Sequence, residues 1–199
     1  MTRDSFKTAE LLINLERLSE GEKVELMKLG IISKEADQLL SPPAPPVQAL
    51  ESVIRKRAVH APQVLNEAYH YSRPSSFSRG LRIDIGPVTV ILISGTASIN
   101  EEGQTVYGGD FRAQTWRTYR NITTLLMAEN VSWHDVIRTT CYLRDIERDY
   151  KDFNEIRTAF FSWWGLDPLP ASVGVQTRLC REDLLVEIEA VALIQSQPS

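Results

Sequence analysis

The chain has little of what most recognisable chemistry needs. It holds 2 cysteines in 199 residues, Cys141 in a strand pattern and Cys180 in a turn, with no CxxC spacing. That excludes a disulfide framework and a structural zinc site, and predicts two free thiols. The 3 histidines, His60, His70 and His134, are scattered through loops and a strand entry, with no spacing to acidic residues that suits a metal. There is no glycine-rich phosphate loop and no nucleophile elbow. No apolar run approaches the roughly 20 residues that span a bilayer, and Met1 to Lys7 lacks an apolar signal core. Positive charge is short as well: 22 Lys and Arg against 26 Asp and Glu leave a net charge of -4. Phosphate neutralisation needs a clustered excess of cations, so a nucleic-acid partner is not expected. The expectation is a cytoplasmic protein with no metal, no cofactor and no membrane partner.

What the chain has is apolar pattern. A hydrophobic content of 43% allows one core domain with an appendage. The organising stretch lies near the end, Leu184 to Leu193. Its period-two alternation puts Val186, Ile188, Ala190 and Ala192 on one face of a strand and Glu187 and Glu189 on the other. Ala171 to Arg178 alternates too, and Leu179 to Asp183 makes a polar turn between the two runs. An antiparallel hairpin is expected, with Gln176 opposite Glu187 and Ser172 and Gly174 further along the same face. That face is the candidate site. Arg178 shares its parity but lies about 20 Å from Ser172 along a strand.

Residues 1–41 read as a helical N-terminal extension. Leu11, Leu12, Leu15 and Leu18 form an apolar stripe, Ser19 to Glu22 is a capping box, and a third short helix is placed at Ser33. The proline run at 42–46 opens a linker and connecting segment, 42–74, within which Val47 to Arg57 is assigned to a helix. The compact domain is 75–199. Leu81 to Ile85 alternates, and Val88 to Ser94 is apolar on both sides, so both sheet faces need cover. Helices of this chain supply one cover; a neighbouring subunit is the candidate for the other. Asp110 caps a helix to about Glu129, Val136 to Leu143 is a strand, and Asp149 to about Trp164 is a second helix with Tyr150, Phe153, Ile156 and Phe160 on one stripe. Two helices on one face of a mixed sheet makes an α+β domain.

The landmarks Phe77-Ser78-Arg79-Gly80, Ile93-Ser94-Gly95-Thr96-Ala97-Ser98, Gly109-Asp110 with Gln114 and Asn121, Asp135-Val136, Phe153-Asn154, Pro170-Ala171 and Val186-Glu187-Ile188-Glu189-Ala190 fall in order over Ser75 to Ile194. Together they resemble the Rid family, also called YjgF-like or L-PSP endoribonuclease-like proteins. The resemblance implies a chorismate-mutase-like subunit that forms a homotrimer, with a small-molecule pocket in each cleft between subunits. It implies that Glu187 positions an attacking water. The pocket expected around the substrate comprises Phe77, Ser94, Gly95, Ser172, Gly174 and Gln176. Phe77 stands where the family's deaminases usually carry tyrosine, and Gly174 replaces the family cysteine. Ser172 stands where they carry a carboxylate-clamping arginine. A hydroxyl cannot make a charge-assisted bidentate clamp, so weak activity on standard imino acids is expected. Arg79, Arg181 and the N-terminal extension offer replacement cations, and the sequence does not choose among them. Gly95 to Ile99 and Cys180-Arg181 leading into Leu184 to Glu189 also resemble the chorismatase catalytic domain, in which the matching glutamate is a general acid.

The functional expectation is a cofactor-free hydrolase, deaminase-like, acting on an enamine, imine or enol-ether metabolite with Glu187 as acid or base. The alternatives are a non-catalytic trimer that binds a small molecule or recruits a partner and, following the family name alone, an endoribonuclease. Glu189, Asn154 and the four tryptophans read as structural.

Overall fold

The computed structural model describes residues 15–35, 38–41, 54–62, 65–71 and 75–195. The chain divides into two compact units, Met1–Glu51 and Ser52–Ser199. In the first, α1 (Glu20–Lys28) begins at the expected capping box. The Ser19 hydroxyl accepts from the Glu22 N–H at 3.2 Å, and Glu22 Oε2 accepts from the Ser19 N–H at 2.7 Å. No helix starts at Ser33. Ile32 and Leu39 form an antiparallel bridge, and Leu40 N–H donates to Ile31 O at 2.8 Å. Extended backbone here buries Ile32 to 1% exposure, which outweighs the weak local preference for another helical turn. Leu11 and Leu12 of the expected stripe, and the proline run, lie outside the described residues.

The second unit is built on a six-stranded mixed sheet in the order β1-β2-β3-β6-β4-β5. The strands are β1 (Ile54–Ala58), β2 (Gly80–Ile85), β3 (Val88–Ala97), β4 (Val136–Leu143), β5 (Ala171–Gln176) and β6 (Val186–Gln195). Both helices, α2 (Phe111–Met127) and α3 (Ile146–Trp164), belong to the same layer, α2 across β3 and β6 and α3 beside it. Asp110 and Asp145 cap them, each accepting from the N–H three residues on, and Gly165 at φ 65° closes α3 in the left-handed conformation. The two amphipathic stripes meet the sheet: Ile122, Leu125 and Leu126 of α2 and Phe153 and Ile156 of α3 are fully buried against Ile91, Ile93, Ile188 and Ala190. Tyr150 leaves the expected stripe and stays exposed. Of the tryptophans, Trp133 is core, while Trp163 is 78% exposed. Among the described residues no helix is long and apolar enough to cross a membrane.

Two expected elements are replaced. The described end of the segment assigned to a helix, Ile54 to Arg57, is strand β1, paired antiparallel with β2. Its Arg57 makes two hydrogen bonds, 2.7 and 2.5 Å, to the buried carboxylate of Glu129 after α2, a bidentate anchor available to an extended edge strand. The hairpin of β5 with β6 does not form. β6 runs between β3 and β4, antiparallel to both, and β5 pairs in parallel with β4 at the sheet edge. The turn at Leu179 to Asp183 therefore crosses over β4. The reason is burial: β6 is apolar enough for a central place, whereas every residue of β5 is exposed, as suits an edge.

This exchange decides which side chains share a face. Glu187 lies opposite Ala97 of β3 and Tyr142 of β4. Its neighbours on that face are Glu189, Val191 and Leu193, and the face is turned away from α2 and α3. Ser172, Gly174 and Gln176 pair with Thr139, Cys141 and Leu143, the opposite parity, and so belong to the helix side.

Candidate functional site

Glu187 is seated by a bulge. Between Ile93 and Thr96 the register of β3 against β6 shifts, so Ser94 and Gly95 together oppose Glu189. The bulge brings the Gly95 backbone against the Glu187 side chain. A Cβ at position 95 would stand 1.9 Å from Glu187 Oε1, so any side chain there would displace the carboxylate. Thr96 Oγ1 donates to Ser94 O at 2.8 Å, and Ser94 Oγ to Ser78 O at 2.8 Å, which hold the bulge and the approach to β2. Gly95 thus lies against the Glu187 carboxylate. Ser94 serves through its backbone in the bulge, and its hydroxyl is occupied.

The carboxylate lines a cavity of about 120 Å³ with Tyr71, Phe77, Arg79, Gly95, Arg181 and Leu184. Burial raises the Glu187 pKa above the ordinary glutamate value; the Glu189 carboxylate adds to the rise and Arg79 opposes it. Arg79 is 4% exposed. Its guanidinium lies 4.9 Å from the Tyr71 ring centre and 5.2 Å from that of Phe77, and its Nε donates to Asn66 O at 3.2 Å. Phe77 is therefore one of two aromatic faces flanking a cation. The Tyr71 hydroxyl is buried with no hydrogen-bond partner among the described residues. The turn carrying Arg181 and Leu184 is stapled to α2 by Gln114, whose Nε2 donates to Asp183 O at 2.8 Å and whose Oε1 accepts from Leu185 N–H at 2.8 Å. Arg181 Nη1 donates to Gly103 O, which closes the wall.

Ser172 and Gly174 are elsewhere. They line a second cavity, about 390 Å³, against the exposed side of α3 with Tyr150, Asn154, Arg157 and Thr158. Ser172 Oγ accepts from Thr139 Oγ1 at 2.9 Å and from Arg157 Nη1 at 3.3 Å. Arg157 Nη2 donates to Asn154 Oδ1 at 2.7 Å, so Asn154 is an exposed partner of a cation rather than a buried strut. Gln176 joins neither cavity, because its Oε1 accepts the Ile146 N–H at 3.0 Å at the start of α3. A single subunit thus gathers Phe77, Gly95 and Glu187, and separates them from Ser172 and Gly174.

Sequence reasoning misses Tyr71 and Arg157. The signal for Arg157 is its place three residues after Asn154, on one helix face. Tyr71 has no such signal; it reaches the wall through a loop. Arg79 and Arg181, two of the candidate replacement cations, both line the first cavity.

The profile described as Endoribonuclease L-PSP matches residues 73–194. A RutC family protein of Pyrococcus abyssi is 32% identical over 102 residues, which cover 51% of this chain and 76% of the relative. The 3-aminoacrylate deaminase RutC of Acinetobacter baylyi is 31% identical over 103 residues, covering 52% of this chain and 78% of that enzyme. Among solved structures, Escherichia coli TdcF with bound serine has a TM-score of 0.58 at 21% identity, covering 70% of this chain and 99% of the other. The YjgF gene product of Escherichia coli has a TM-score of 0.55 at 23% identity, covering 68% and 97%. At such identities the structures speak for the fold, and the profile match over most of the chain speaks for descent. The chain belongs to the endoribonuclease L-PSP family, the Rid or YjgF-like proteins.

Proposed function

We propose that this protein is a cofactor-free enzyme that hydrolyses a small imine or enamine, with Glu187 as the acid–base group. The observation that carries the reading is the seating of Glu187, a carboxylate fixed by a glycine bulge in a small cavity, where burial raises its pKa toward the working pH. Such a group can take a proton from water and return it later. Water oxygen attacks the imine carbon while Glu187 accepts the water proton. The proton then passes to the nitrogen to give a carbinolamine; Glu187 next moves the hydroxyl proton to that nitrogen, the C–N bond breaks as the C=O bond forms, and the products are a carbonyl compound and ammonia. An enamine enters the same path after protonation at carbon. The 3-aminoacrylate deaminase relative supports this reaction class.

The assembly proposed is a homotrimer in which the open sheet face of one copy meets a neighbour. Val88, Leu92 and Leu193 on that face are 36%, 36% and 43% exposed, an apolar surface that a second copy would cover. The edge strand β5 and its cavity would then face the Glu187 cavity of the adjoining copy, reuniting the separated residues. Light scattering should give three times the subunit mass of 22.5 kDa.

The test is ammonia release from an imine generated in situ from an amino acid by an oxidase. Glu187→Gln should lower turnover by about 100-fold or more. Turnover that survives this change overturns the reading. A second reading, a trimer that binds its ligand without chemistry, is favoured by Phe77, which has no hydroxyl to offer. Under it Glu187→Gln changes affinity alone.

A further inference from the structure

The geometry points to a carboxylate-binding site in the second cavity, with the Arg157 guanidinium as the group that takes the anion. It rests on the proposed function for its place beside Glu187 of another copy, and on this chain alone for its preference for a negative ligand.

Arg157 is half-buried, and its charge is uncompensated. Its partners are neutral: Asn154 Oδ1, Ser172 Oγ and the face of Phe153, 5.3 Å from the guanidinium carbon. Among the described residues no carboxylate forms an ion pair with it. The nearby acids of α3 are already taken, since Asp152 and Glu155 both pair with Arg112, at 2.6 and 3.1 Å. The neutral contacts fix the plane of the fork without cancelling its charge, and they use two of its five N–H donors, which leaves others for a ligand.

Ser172 adds a second donor. Both of its lone pairs are engaged, by Thr139 and by Arg157, so its own O–H is left to donate. Cys141 Sγ, 3.8 Å away, is a weak competitor for it. Gly174, next but one along β5, has no side chain to fill the floor: a Cβ there would meet only Tyr150 and Ile146, at 3.8 and 3.9 Å. A cavity with a planar cation, a free hydroxyl proton and no acid in its wall suits a planar, singly charged oxyanion. A cationic or amide ligand would leave the guanidinium unpaired.

The experiment is a titration of the full-length protein with propionate and with propanamide, its neutral isostere, followed by amide NMR shifts at Ser172 and Gly174. Propionate should bind at least about tenfold tighter than the amide, the discrimination one charge-assisted bond provides. Arg157→Gln should abolish the difference, and Arg157→Lys, which keeps a point charge but loses the fork, should retain part of it. Should Arg157→Gln fail to fold, the acid–amide comparison on the unaltered protein decides alone. Equal binding of the two probes, or unchanged propionate selectivity in Arg157→Gln, overturns the assignment. Because binding and not turnover is read, the acid–amide comparison decides this assignment whether or not the proposed chemistry holds. Selectivity lost in Arg181→Gln but kept in Arg157→Gln would move the anion to the other cavity, which Arg181 lines, and overturn the assignment as well.

Discussion

The two cavities of the sheet unit differ in what they do to a charge. Around Glu187 the wall is tight and half-buried, and its burial and a second acid push against ionisation. Around Arg157 the wall is wider, and neutral groups support a cation. Under the proposed function, the first environment tunes a proton-transfer group and the second holds a counter-ion. The lesson is that local dielectric and partner charge separate chemistry from recognition on one small domain, although both cavities draw on residues two apart along a strand.

This contrast can be broken in order of expected size. Glu187→Gln removes the proton acceptor and should cost about 100-fold or more in kcat, with KM nearly unchanged. Gly95→Ala should follow, at about tenfold or more in kcat, because the new Cβ occupies the present position of Oε1. Its stability cost should be about 1 kcal/mol or less, since the displaced atom is the far end of a flexible side chain. A kcat loss without a fall in Tm is the readout, and unaltered kcat would show that the seat is unnecessary. Arg157→Gln should act on the other cavity, raising KM for an acidic substrate about tenfold with kcat preserved.

The smallest effect is on stability against pH. The folded pKa of Glu187 is raised above its ordinary value of 4.5. Between these two values the folded protein binds more protons than the unfolded chain, so this group costs stability as pH rises. Glu187→Gln should therefore unfold at a higher temperature than the parent at pH 7, and the gap should close below about pH 4.5. A gap that widens on acidification would reverse the assigned direction.

Much of the fold is readable without coordinates. Ser19 and Glu22, Asp110, Gly165 and the two helical stripes mark element ends by local hydrogen bonding and periodicity, which neighbouring residues settle among themselves. The family resemblance brings Glu187 and Gly95 together, and the structure has them side by side in one cavity. Arg157, Tyr71 and the true position of Ser172 are not legible. Their roles depend on which strand lies beside which, and a strand's alternation says only which residues share one of its faces. The segment before Ala58 illustrates the same limit, because Ile54 to Arg57 gains its strand from β2 and its anchor from Glu129, neither of them near in sequence.

The amino-acid order by itself determined α1, α2 and α3, their caps and the alternation that places Glu187 apart from Val186 and Ile188. Only the tertiary structure decided that β6 enters the middle of the sheet and β5 joins β4 in parallel at the edge. Pairing is chosen by long-range burial: β6, whose alternate residues are buried, takes an interior position, and β5, exposed throughout, takes the edge. That choice sent Ser172 and Gly174 to the helix side and left Glu187 on the other.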